Sequence, residues 1–328
     1  MDSESLLRVL ADGRPHSCVS LAACLGASPS EIERQAAKLE RWGWQAEALP
    51  GESYRLPLPL DLLDADSLAA ALRPVASRLV ARLDLFAELG STNSYLLSRV
   101  PEPGRMNVCL AEFQNAGRGR RGRRWTAPFA SGLCLSAGWQ FAETPPELPA
   151  LTLAIGVAAR RVLERLASLR VALKWPNDLV WNDRKLGGIL VETVTGAGGG
   201  CYAVAGLGLN VALPPASLRE ISDWPKGATD LKAAMGGSPP RRAVLAAALI
   251  ESLAELFSTY GATGFSPYRG ELAAADYLNG RRVSVASASE ILRGTARGLD
   301  ADGALRVEVA AGCYRRVVSG EVSVRPGV

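Results

Sequence analysis

The sequence predicts an α+β protein built from three parts, each with its own pattern. Residues 1–62 carry apolar positions at helical spacing and close with a short hairpin pattern. Residues 63–275 mix strand and helix patterns, and residues 276–328 alternate apolar and polar positions as β-strands do. Because strands and helices in the middle part do not alternate regularly, the pattern favours α+β over a doubly wound parallel sheet.

The N-terminal part has the element order of a winged helix-turn-helix. Leu6 and Leu10 mark one face of a first helix. The run Ser-Pro-Ser-Glu at 28–31 signals the start of a later helix, because serine caps a first turn and proline fits its first position. Gly43 ends that helix, and a hairpin follows around residues 50–51. This order predicts a DNA-binding domain.

The middle part is predicted to combine a sheet with amphipathic helices. The helix patterns cover residues 151–166 and 242–260. Strand candidates lie at residues 108–111, 132–139, 186–192 and 202–211. In the tail, short alternating segments separated by turn signals predict a small β-barrel.

Composition removes several classes of active site. The chain of 328 residues has one histidine, His16, so a serine or cysteine triad elsewhere would need that residue, and histidine-rich metal sites are excluded. The six cysteines form no Cys-X-X-Cys pair and are expected to be reduced core residues.

We predict a cytoplasmic protein, because the N-terminus lacks a secretory signal and no apolar run reaches the about 18 residues of a membrane span. Catalysis must then rest on lysine, arginine, carboxylates, backbone amides or a bound cation.

The positive charge is concentrated in one loop. The net charge of +4 comes from 37 basic and 33 acidic residues, and residues 118–124 read Arg-Gly-Arg-Arg-Gly-Arg-Arg. Without these five arginines, 32 basic residues stand against 33 acidic ones, so the positive excess comes from this loop. Glycines let backbone N–H groups turn toward an anion, and arginines supply charged forks. The loop therefore predicts a phosphate or acyl-phosphate site that orders around its ligand. A nucleic-acid segment or a solvated loop is the alternative.

A second cluster combines lysines with a carboxylate near one turn. It consists of the run Lys174-Trp175-Pro176-Asn177-Asp178 and of residues 183–188, which include Lys185. A carboxylate beside lysines suits a divalent cation or an amine, and a lysine at a strand end suits an oxyanion. An ordinary surface turn with ion pairs would have the same composition.

Two further motifs each have two interpretations. Residues 206–210, Gly-Leu-Gly-Leu-Asn, resemble a glycine-rich phosphate loop, but no helix clearly follows, and a strand with a close backbone approach fits equally well. Residues 90–93, Gly-Ser-Thr-Asn, place three small hydrogen-bonding side chains before a helix, which a helix N-cap alone would explain.

Taken together, these motifs resemble the biotin protein ligases. The matching stretches keep the family's order and spacing: GSTN at 90–93, AEFQNAGRGRRGRRW at 111–125, KWPND at 174–178, RKLGGILVE at 184–192 and GLGLN at 206–210. The winged-helix pattern and the ending at 319–325 extend the resemblance over essentially the whole chain. Lipoate ligases share the fold but lack these two motifs, the arginine loop and KWPND. The form that this chain resembles is the longer bacterial one, which also represses biotin synthesis genes.

The resemblance implies a central domain similar to class II aminoacyl-tRNA synthetases and a C-terminal SH3-like barrel. It also implies that biotin and MgATP give biotinyl-5′-AMP, and that biotin then passes to one lysine of the biotin carboxyl carrier protein of acetyl-CoA carboxylase. ATP, Mg²⁺ and the substrate biotin are the expected ligands. The shortage of histidine fits this chemistry, because biotin brings its own carboxylate nucleophile and the acceptor brings its own amine.

The resemblance also assigns roles to residues. The expected catalytic residues are Lys185, Arg120, Asp178 and Lys174, with Asp178 as the Mg²⁺ ligand. Biotin is expected to contact Ser91, Thr92, Asn93, Gln114, Arg118, Gly119, Arg120 and Lys185. ATP and the adenylate are expected to contact Arg118, Arg120, Arg121, Lys174, Asn177, Asn210 and Trp224. For Trp224 a place in the core is the alternative, and Trp125 and Trp139 are candidates for the biotin pocket.

For regulation, the resemblance implies a homodimer that binds biotin operator DNA when the adenylate is bound. The expected DNA contacts are Ser28, Ser30, Arg34, Lys38 and Arg41. Residues 1–60 hold eight acidic and six basic side chains, which is a poor balance for contact with phosphates. The alternative function is a regulator that senses biotinyl-AMP and has little ligase activity. The expected partners are thus the carrier protein, a second copy and operator DNA, with no membrane.

Overall fold

The computed structural model describes residues 2–195, 199–220, 224, 226–286, 291–318 and 323–326. Over these residues the chain forms sheets of three, seven and five strands, which follow one another along the sequence. Helices accompany the first two sheets, as the patterns in the sequence predict.

The N-terminal part packs three short helices against a small antiparallel sheet. Its elements are α1 (Ser3–Leu10), β1 (His16–Ser17), α2 (Cys18–Leu25), α3 (Pro29–Lys38), a 3₁₀ turn (Leu39–Trp42), β2 (Glu47–Leu49) and β3 (Ser53–Arg55), with strand order β1-β3-β2. The Ser28 hydroxyl accepts a hydrogen bond from the Glu31 amide at 3.3 Å, which confirms the predicted cap of α3. The predicted order of elements is therefore present.

The seven-stranded sheet forms the centre of the protein. Its strands are β4 (Val80–Leu89), β5 (Met106–Gln114), β6 (Gly132–Phe141), β7 (Ala172–Lys174), β8 (Asp178–Trp181), β9 (Arg184–Thr195) and β10 (Cys201–Asn210). They lie in the order β4-β5-β6-β10-β9-β8-β7, and all neighbours are antiparallel except β4 and β5. The four strands expected from the apolar patterns are confirmed. The mixed sheet also confirms the choice of α+β.

Two long helices cover this sheet with apolar side chains. The helices of the region are α4 (Ala65–Ala71), α5 (Pro74–Leu79), α6 (Thr92–Leu97), α7 (Leu151–Ala167), α8 (Pro215–Glu220), α9 (Leu231–Met235), α10 (Arg242–Thr263) and α11 (Arg269–Ala275), with 3₁₀ turns at Arg120–Gly122, Leu148–Ala150 and Ser266–Tyr268. Trp139 of β6 stacks on Phe257 of α10 with ring centroids 6.0 Å apart. Trp139 therefore belongs to the core, and its expected place in the biotin pocket is wrong.

Helix α10 has the length and apolar composition of a membrane-spanning segment, but its surroundings explain that composition. Of its most apolar stretch, 72% is buried inside the protein. The helix packs on α7 and on the sheet as part of the main core.

The tail forms an antiparallel sheet whose core is continuous with that of the central part. Its strands are β11 (Arg282–Ala286), β12 (Ile291–Leu299), β13 (Leu305–Ala310), β14 (Cys313–Val317) and β15 (Ser323–Pro326), in the order β14-β13-β12-β11-β15. Val283, Leu305 and Val307 join the same apolar cluster as α7 and α10. Residues 319–322, which belong to the ending used in the resemblance, lie outside the described residues. Closure into an SH3-like barrel and the domain boundaries at 62 and 275 stay predictions.

The N-terminal part contacts the central part through two tryptophans, which meet Phe129 in the loop before β6. The Trp44 indole N–H donates to the Phe129 carbonyl at 2.7 Å, and the rings of Trp42 and Phe129 lie 4.9 Å apart. Arg41 lies in this contact rather than on α3, since it pairs with Glu88 at 3.4 Å and stacks over Trp42. The expected DNA contact through Arg41 stays a prediction, in which DNA phosphates compete with the Glu88 carboxylate.

Glu88 makes this contact depend on pH. Its carboxylate accepts hydrogen bonds from Trp42 at 2.9 Å and from Asn115 at 3.0 Å. Partial burial raises the pKa of Glu88, but these two bonds and the charge of Arg41 outweigh it and lower the pKa. A carboxylate with a lowered folded-state pKa stabilises fully above its unfolded pKa of about 4.3, and this stabilisation is lost as the pH falls through the folded value.

We therefore expect Glu88→Gln to destabilise the protein by about 1.5 kcal/mol at pH 7, the scale of a hydrogen bond to a charged group. The difference from the parent protein should shrink as the pH falls below about 4, where the parent carboxylate takes up a proton. Thermal unfolding between pH 3.5 and pH 7 measures both effects. Glu40→Gln, at an exposed position of the same 3₁₀ turn, is the control and should show neither. A constant difference over the whole pH range would contradict this account of Glu88.

Candidate functional site

A cleft on the seven-stranded sheet gathers most of the residues expected to bind ligands. Its empty space is about 650 Å³, a figure that includes space open to solvent. The expected site residues that line it are Ser91, Thr92, Asn93, Gln114, Arg118, Gly119, Arg120, Asn177, Asp178 and Lys185. Trp125 lines it as well.

One end of the cleft is a network of neutral hydrogen-bonding groups. The Gln114 side-chain carbonyl accepts from the Thr92 amide at 2.8 Å and from the Thr92 hydroxyl at 3.1 Å. The Ser136 hydroxyl lies 2.7 Å from the Thr92 hydroxyl and 2.6 Å from Asn93 Oδ1. Ser91 caps α6 through its hydroxyl, so the motif at 90–93 serves both as an N-cap and as a wall of the cleft.

The arginine loop closes over the cleft as a small hairpin. The Gly119 amide donates to the Arg123 carbonyl at 2.7 Å, and the Trp125 amide donates to the Gly117 carbonyl at 3.0 Å. The Arg118 guanidinium donates to Glu192 of β9 at 2.7 Å, which ties the loop to the sheet. The expectation that this loop orders only around an anion stays a prediction.

The two glycines of the motif at 206–210 lie inside strand β10. A Cβ on Gly206 would lie 2.3 Å from the side-chain oxygen of Asn93, and a Cβ on Gly208 would lie 2.4 Å from the Trp125 ring. Both distances are far inside van der Waals contact, so only glycine leaves room for these two side chains. Of the two interpretations, a strand with close approach is confirmed, and a phosphate loop at this motif is wrong.

The opposite end of the cleft holds Lys185 and Asp178. They lie on neighbouring strands β9 and β8, with the ammonium 3.1 Å from a carboxylate oxygen, and their side chains are 14% and 13% exposed. The backbone of Asn177 fixes the turn, since its carbonyl accepts from the Ile189 amide at 2.9 Å. Both charged groups therefore face the cleft in a defined position.

Positive charge is in excess over the cleft as a whole. The cleft is lined by Arg118, Arg120, Arg123, Arg124 and Lys185 against the one carboxylate of Asp178. Burial, and then the like charge of Arg121, lowers the pKa of the Arg120 guanidinium. Burial raises the pKa of the Cys134 thiol in the wall to about 11, so it stays neutral at pH 7. The arrangement suits a ligand that is neutral at one end and anionic at the other.

Mg²⁺ fits this site as an ion shared with a ligand. Among the described residues, no group of three or more histidine, cysteine or carboxylate side chains is arranged to hold a metal. Mg²⁺ usually keeps several waters and takes one or two protein carboxylates together with substrate phosphates. Asp178 alone is compatible with that mode, in which phosphate oxygens complete the coordination.

Four residues expected to contact the nucleotide lie outside the cleft lining: Arg121, Lys174, Asn210 and Trp224. Asn210 is 1% exposed and donates to the Thr229 carbonyl at 2.9 Å, so its side chain is held inside the protein, and its expected contact with the nucleotide stays a prediction. The Lys174 ammonium lies 4.0 Å from the centroid of the Trp224 ring, and both side chains are buried. The Trp224 side chain lies in the interior, the alternative given for it above.

Sequence reasoning missed Ser136 and Glu192. Ser136 lies on the same strand as Cys134, which lines the cleft. Because side chains two residues apart on a strand point to the same face, this spacing could have identified Ser136. Glu192 accepts from both Arg118 and Asn93, at 2.7 Å and 2.9 Å. Its partners are 74 and 99 residues away in the chain, so local spacing carries no signal for them.

Comparisons with known proteins agree with this geometry. The family described as "Biotin/lipoate A/B protein ligase family" matches residues 85–210, and "Biotin protein ligase C terminal domain" matches residues 279–325. The solved structure of a biotin protein ligase from Aquifex aeolicus in complex with biotin and ATP is similar with a TM-score of 0.62 and 26% identity, over 75% of this chain and 100% of that chain. The fold and the site thus define a protein of the biotin protein ligase class, with a small C-terminal β domain.

Two relatives are similar to this chain over nearly its whole length. "Bifunctional ligase/repressor BirA" of Salmonella typhimurium is 37% identical over 98% of this chain and 97% of that protein. The protein of the same name from Escherichia coli is 35% identical over 98% of this chain and 96% of its own length. The chain therefore belongs to the biotin protein ligase family, and it is similar over nearly its whole length to members that carry the name bifunctional ligase/repressor.

Proposed function

We propose that the protein activates biotin with MgATP to biotinyl-5′-AMP and transfers biotin to a lysine of a biotin carboxyl carrier protein. The observation that carries the proposal is the polarity of the cleft. The cleft combines a neutral network around Thr92 and Gln114 with the cations Arg120 and Lys185, which suits a ligand with an uncharged head and an acidic tail. The cytoplasm is the proposed location, and all six cysteines, which lie in the described ranges, are free.

In this proposal the neutral network holds the ureido ring of biotin. A urea group offers one carbonyl acceptor and two N–H donors, so it needs both kinds of partner. Thr92 and Gln114 supply them, together with the backbone of the arginine loop. The valeryl chain then runs toward Lys185.

The cationic end carries the chemistry. A carboxylate oxygen of biotin attacks the α-phosphorus of ATP, the bond to the β-phosphate oxygen breaks, and pyrophosphate leaves. Arg120 and Lys185 neutralise the charge that grows on the α-phosphate, and Asp178 is the protein ligand of the Mg²⁺ that accompanies ATP. In the second step the acceptor amine attacks the acyl carbon, AMP leaves, and the amine loses a proton. Asp178 is positioned to orient that amine.

The arginine loop retains the adenylate in this scheme. We expect Arg120→Gly to release biotinyl-AMP about 10- to 100-fold faster, because a hydrogen bond to a charged group stabilises by about 1.5–3 kcal/mol. Released adenylate should biotinylate lysines of an unrelated protein such as serum albumin. Chromatography of free adenylate and streptavidin blots of the albumin measure the two effects.

Arg121→Gly is the matched control, since Arg121 belongs to the same loop but does not line the cleft. Its backbone has φ of 57°, a conformation that glycine adopts freely. Equal adenylate release from both variants, or none from either, would show that Arg120 does not retain the intermediate.

The proposal extends to operator DNA and to a homodimer formed with the adenylate bound. The names of the ligase/repressor relatives and the element order of the N-terminal part support it. Ser28, Ser30, Arg34 and Lys38 of the α3 region are the proposed contacts. Arg34 lies 3.6 Å from Glu31 of the same helix, so DNA phosphates compete with that carboxylate.

Transfer to a carrier domain tests the proposed function. The protein is incubated with MgATP, a carrier domain and either biotin or lipoate, and the carrier is digested and analysed by mass spectrometry. Biotin on a single lysine of the carrier, and no lipoylation, supports the ligase. Operator retention with adenylate bound, but an unmodified carrier, would instead favour a regulator that senses biotinyl-AMP.

A further inference from the structure

Asp183 occupies a junction that the proposed function does not use. Strands β8 and β9 are joined by Asn182 and Asp183, whose φ values are 47° and 61°. Two successive residues with positive φ are typical of a tight type I′ hairpin turn. The turn places Asp183 two residues before Lys185, at the edge of the anionic half of the site.

Asp183 accepts hydrogen bonds from a segment that follows α8. Its described residues are Trp224 and residues 226–229, and it is called the Trp224 segment below. The Asp183 carboxylate accepts from the Lys226 ammonium at 2.6 Å, and the Asp183 main-chain carbonyl accepts from the Trp224 indole N–H at 2.7 Å. The hydrogen bonds to the carboxylate, from Lys226 first, lower the pKa of Asp183, so it is charged at neutral pH.

The same segment runs beside β9 at Lys185. The Lys185 amide donates to the Gly227 carbonyl at 3.2 Å, and the Thr229 amide donates to the Lys185 carbonyl at 2.9 Å. The Trp224 ring covers the ammonium of Lys174 at 4.0 Å. A displacement of this segment would therefore disturb both lysines of the anionic half.

The C-terminal β domain reaches Asp183 from the other side. Both terminal nitrogens of Arg281 lie 3.4 Å from its carboxylate, and the guanidinium stacks over Tyr277 at 4.0 Å. Tyr277 in turn donates its amide to the Leu173 carbonyl, next to Lys174, at 3.0 Å. Asp183 thus links the Trp224 segment to the start of the C-terminal domain.

We propose that Asp183 is a positioning residue for the nucleotide half of the site. It holds the Trp224 segment in register with Lys185, and Arg281 supports its carboxylate from the C-terminal part. The inference rests on the proposed function, in which Lys174 and Lys185 meet phosphate. We expect biotin binding to be insensitive to Asp183, because the hydrogen bonds that join Thr92 and Gln114 involve no residue of this junction.

Asp183→Asn tests the proposal without breaking the turn, because asparagine adopts positive φ about as readily as aspartate. We expect KM for ATP in biotin-dependent ATP–pyrophosphate exchange to rise about 5- to 10-fold, the scale of losing a partly exposed ion-pair network. KM for biotin should stay within about twofold. Arg281→Ala should raise KM for ATP in the same direction, and the double variant should not exceed the larger single effect by much. Arg281→Lys should restore part of the loss.

Asp302→Asn is the matched control. It lies in the turn between β12 and β13, its carboxylate pairs with Arg316 at 2.6 Å, and none of its hydrogen bonds among the described residues goes to the Trp224 segment. An equal effect of Asp302→Asn, or a parallel rise of both KM values in Asp183→Asn, would reduce Asp183 to a general structural role and overturn the proposal. An unchanged KM for ATP would overturn it as well.

A binding experiment separates this inference from the proposed function. Isothermal titration with ATP compares the full-length parent, Asp183→Asn and Trp224→Phe. If the parent shows no exchange, the proposed function fails, and the titration decides about Asp183 by itself. A weaker ATP Kd in Asp183→Asn supports the positioning role, and an unchanged Kd overturns it.

Discussion

Replacing Lys185 by alanine is expected to lower kcat/KM for biotin activation by about 100- to 1,000-fold. The ammonium lines the cleft beside Asp178, and its side chain is only 14% exposed. A donor that faces developing charge in a partly buried site contributes about this factor, because water cannot replace it without reorganisation. The loss also leaves the Asp178 carboxylate without its 3.1 Å partner, which adds repulsion toward phosphate.

The exchange assay and a separate biotin titration measure this effect. Biotin affinity should change much less than kcat, since the neutral network stays intact. Lys232→Ala removes an exposed lysine of α9 and is the control, with exchange expected to stay at the parent level. A Lys185→Ala protein that exchanges within tenfold of the parent would remove Lys185 from the chemistry.

Glu112→Gln is expected to lower the free energy of unfolding by about 3–5 kcal/mol. Glu112 on β5 and Arg242 at the start of α10 are 1% and 2% exposed, with their charged atoms 2.6 Å apart in an ion pair that is not aligned as a hydrogen bond. The substitution leaves a buried guanidinium without its counter-charge, which is the costly half of breaking such a pair. The other Glu112 oxygen accepts from the Leu63 amide at 2.6 Å, a bond that glutamine can keep.

Urea unfolding of a small set of variants separates the pair from its neighbours. Arg242→Met should cost as much or more, because Arg242 also donates to the carbonyls of Gly132 and Asp61. The double variant should cost less than the sum of the two, since no buried charge remains. Arg241→Met is the control, as Arg241 is 68% exposed and pairs with Asp61 only at 3.4 Å. A Glu112→Gln protein within 1 kcal/mol of the parent would contradict the account.

The fold follows from local patterns where these patterns are strong. Ser28 and Pro29 fix the start of α3 because a cap and a pre-set φ act within one turn. The apolar run at 108–111 marks the centre of β5, but the strand extends from Met106 to Gln114. The ends of β5 are set by its pairing with β4 and β6. The spacing of apolar residues within β5 carries no information about these partners.

The expected site residues also fall into two groups, those that line the cleft and those whose side chains point into the protein. Arg120 and Lys185 were predicted from motifs that put unusual charge near a turn or strand end, and both line the cleft. Asn210 and Trp224 belong to motifs of equal quality, but their side chains bond inward to Thr229 and Asp183. Arg41 likewise turns to Glu88, 47 residues away. Tertiary contacts of this kind decide which way a side chain points, so sequence alone identifies the segment more safely than the role.

Biotin-dependent ATP–pyrophosphate exchange tests the central claim most directly. The purified full-length protein is assayed with MgATP and radiolabelled pyrophosphate in the presence of biotin, of lipoate or of no acid. The account predicts exchange with biotin alone, because the neutral end of the cleft matches a ureido ring and the cationic end matches an acyl phosphate. Exchange with lipoate, or no exchange from folded protein with either acid, would contradict it.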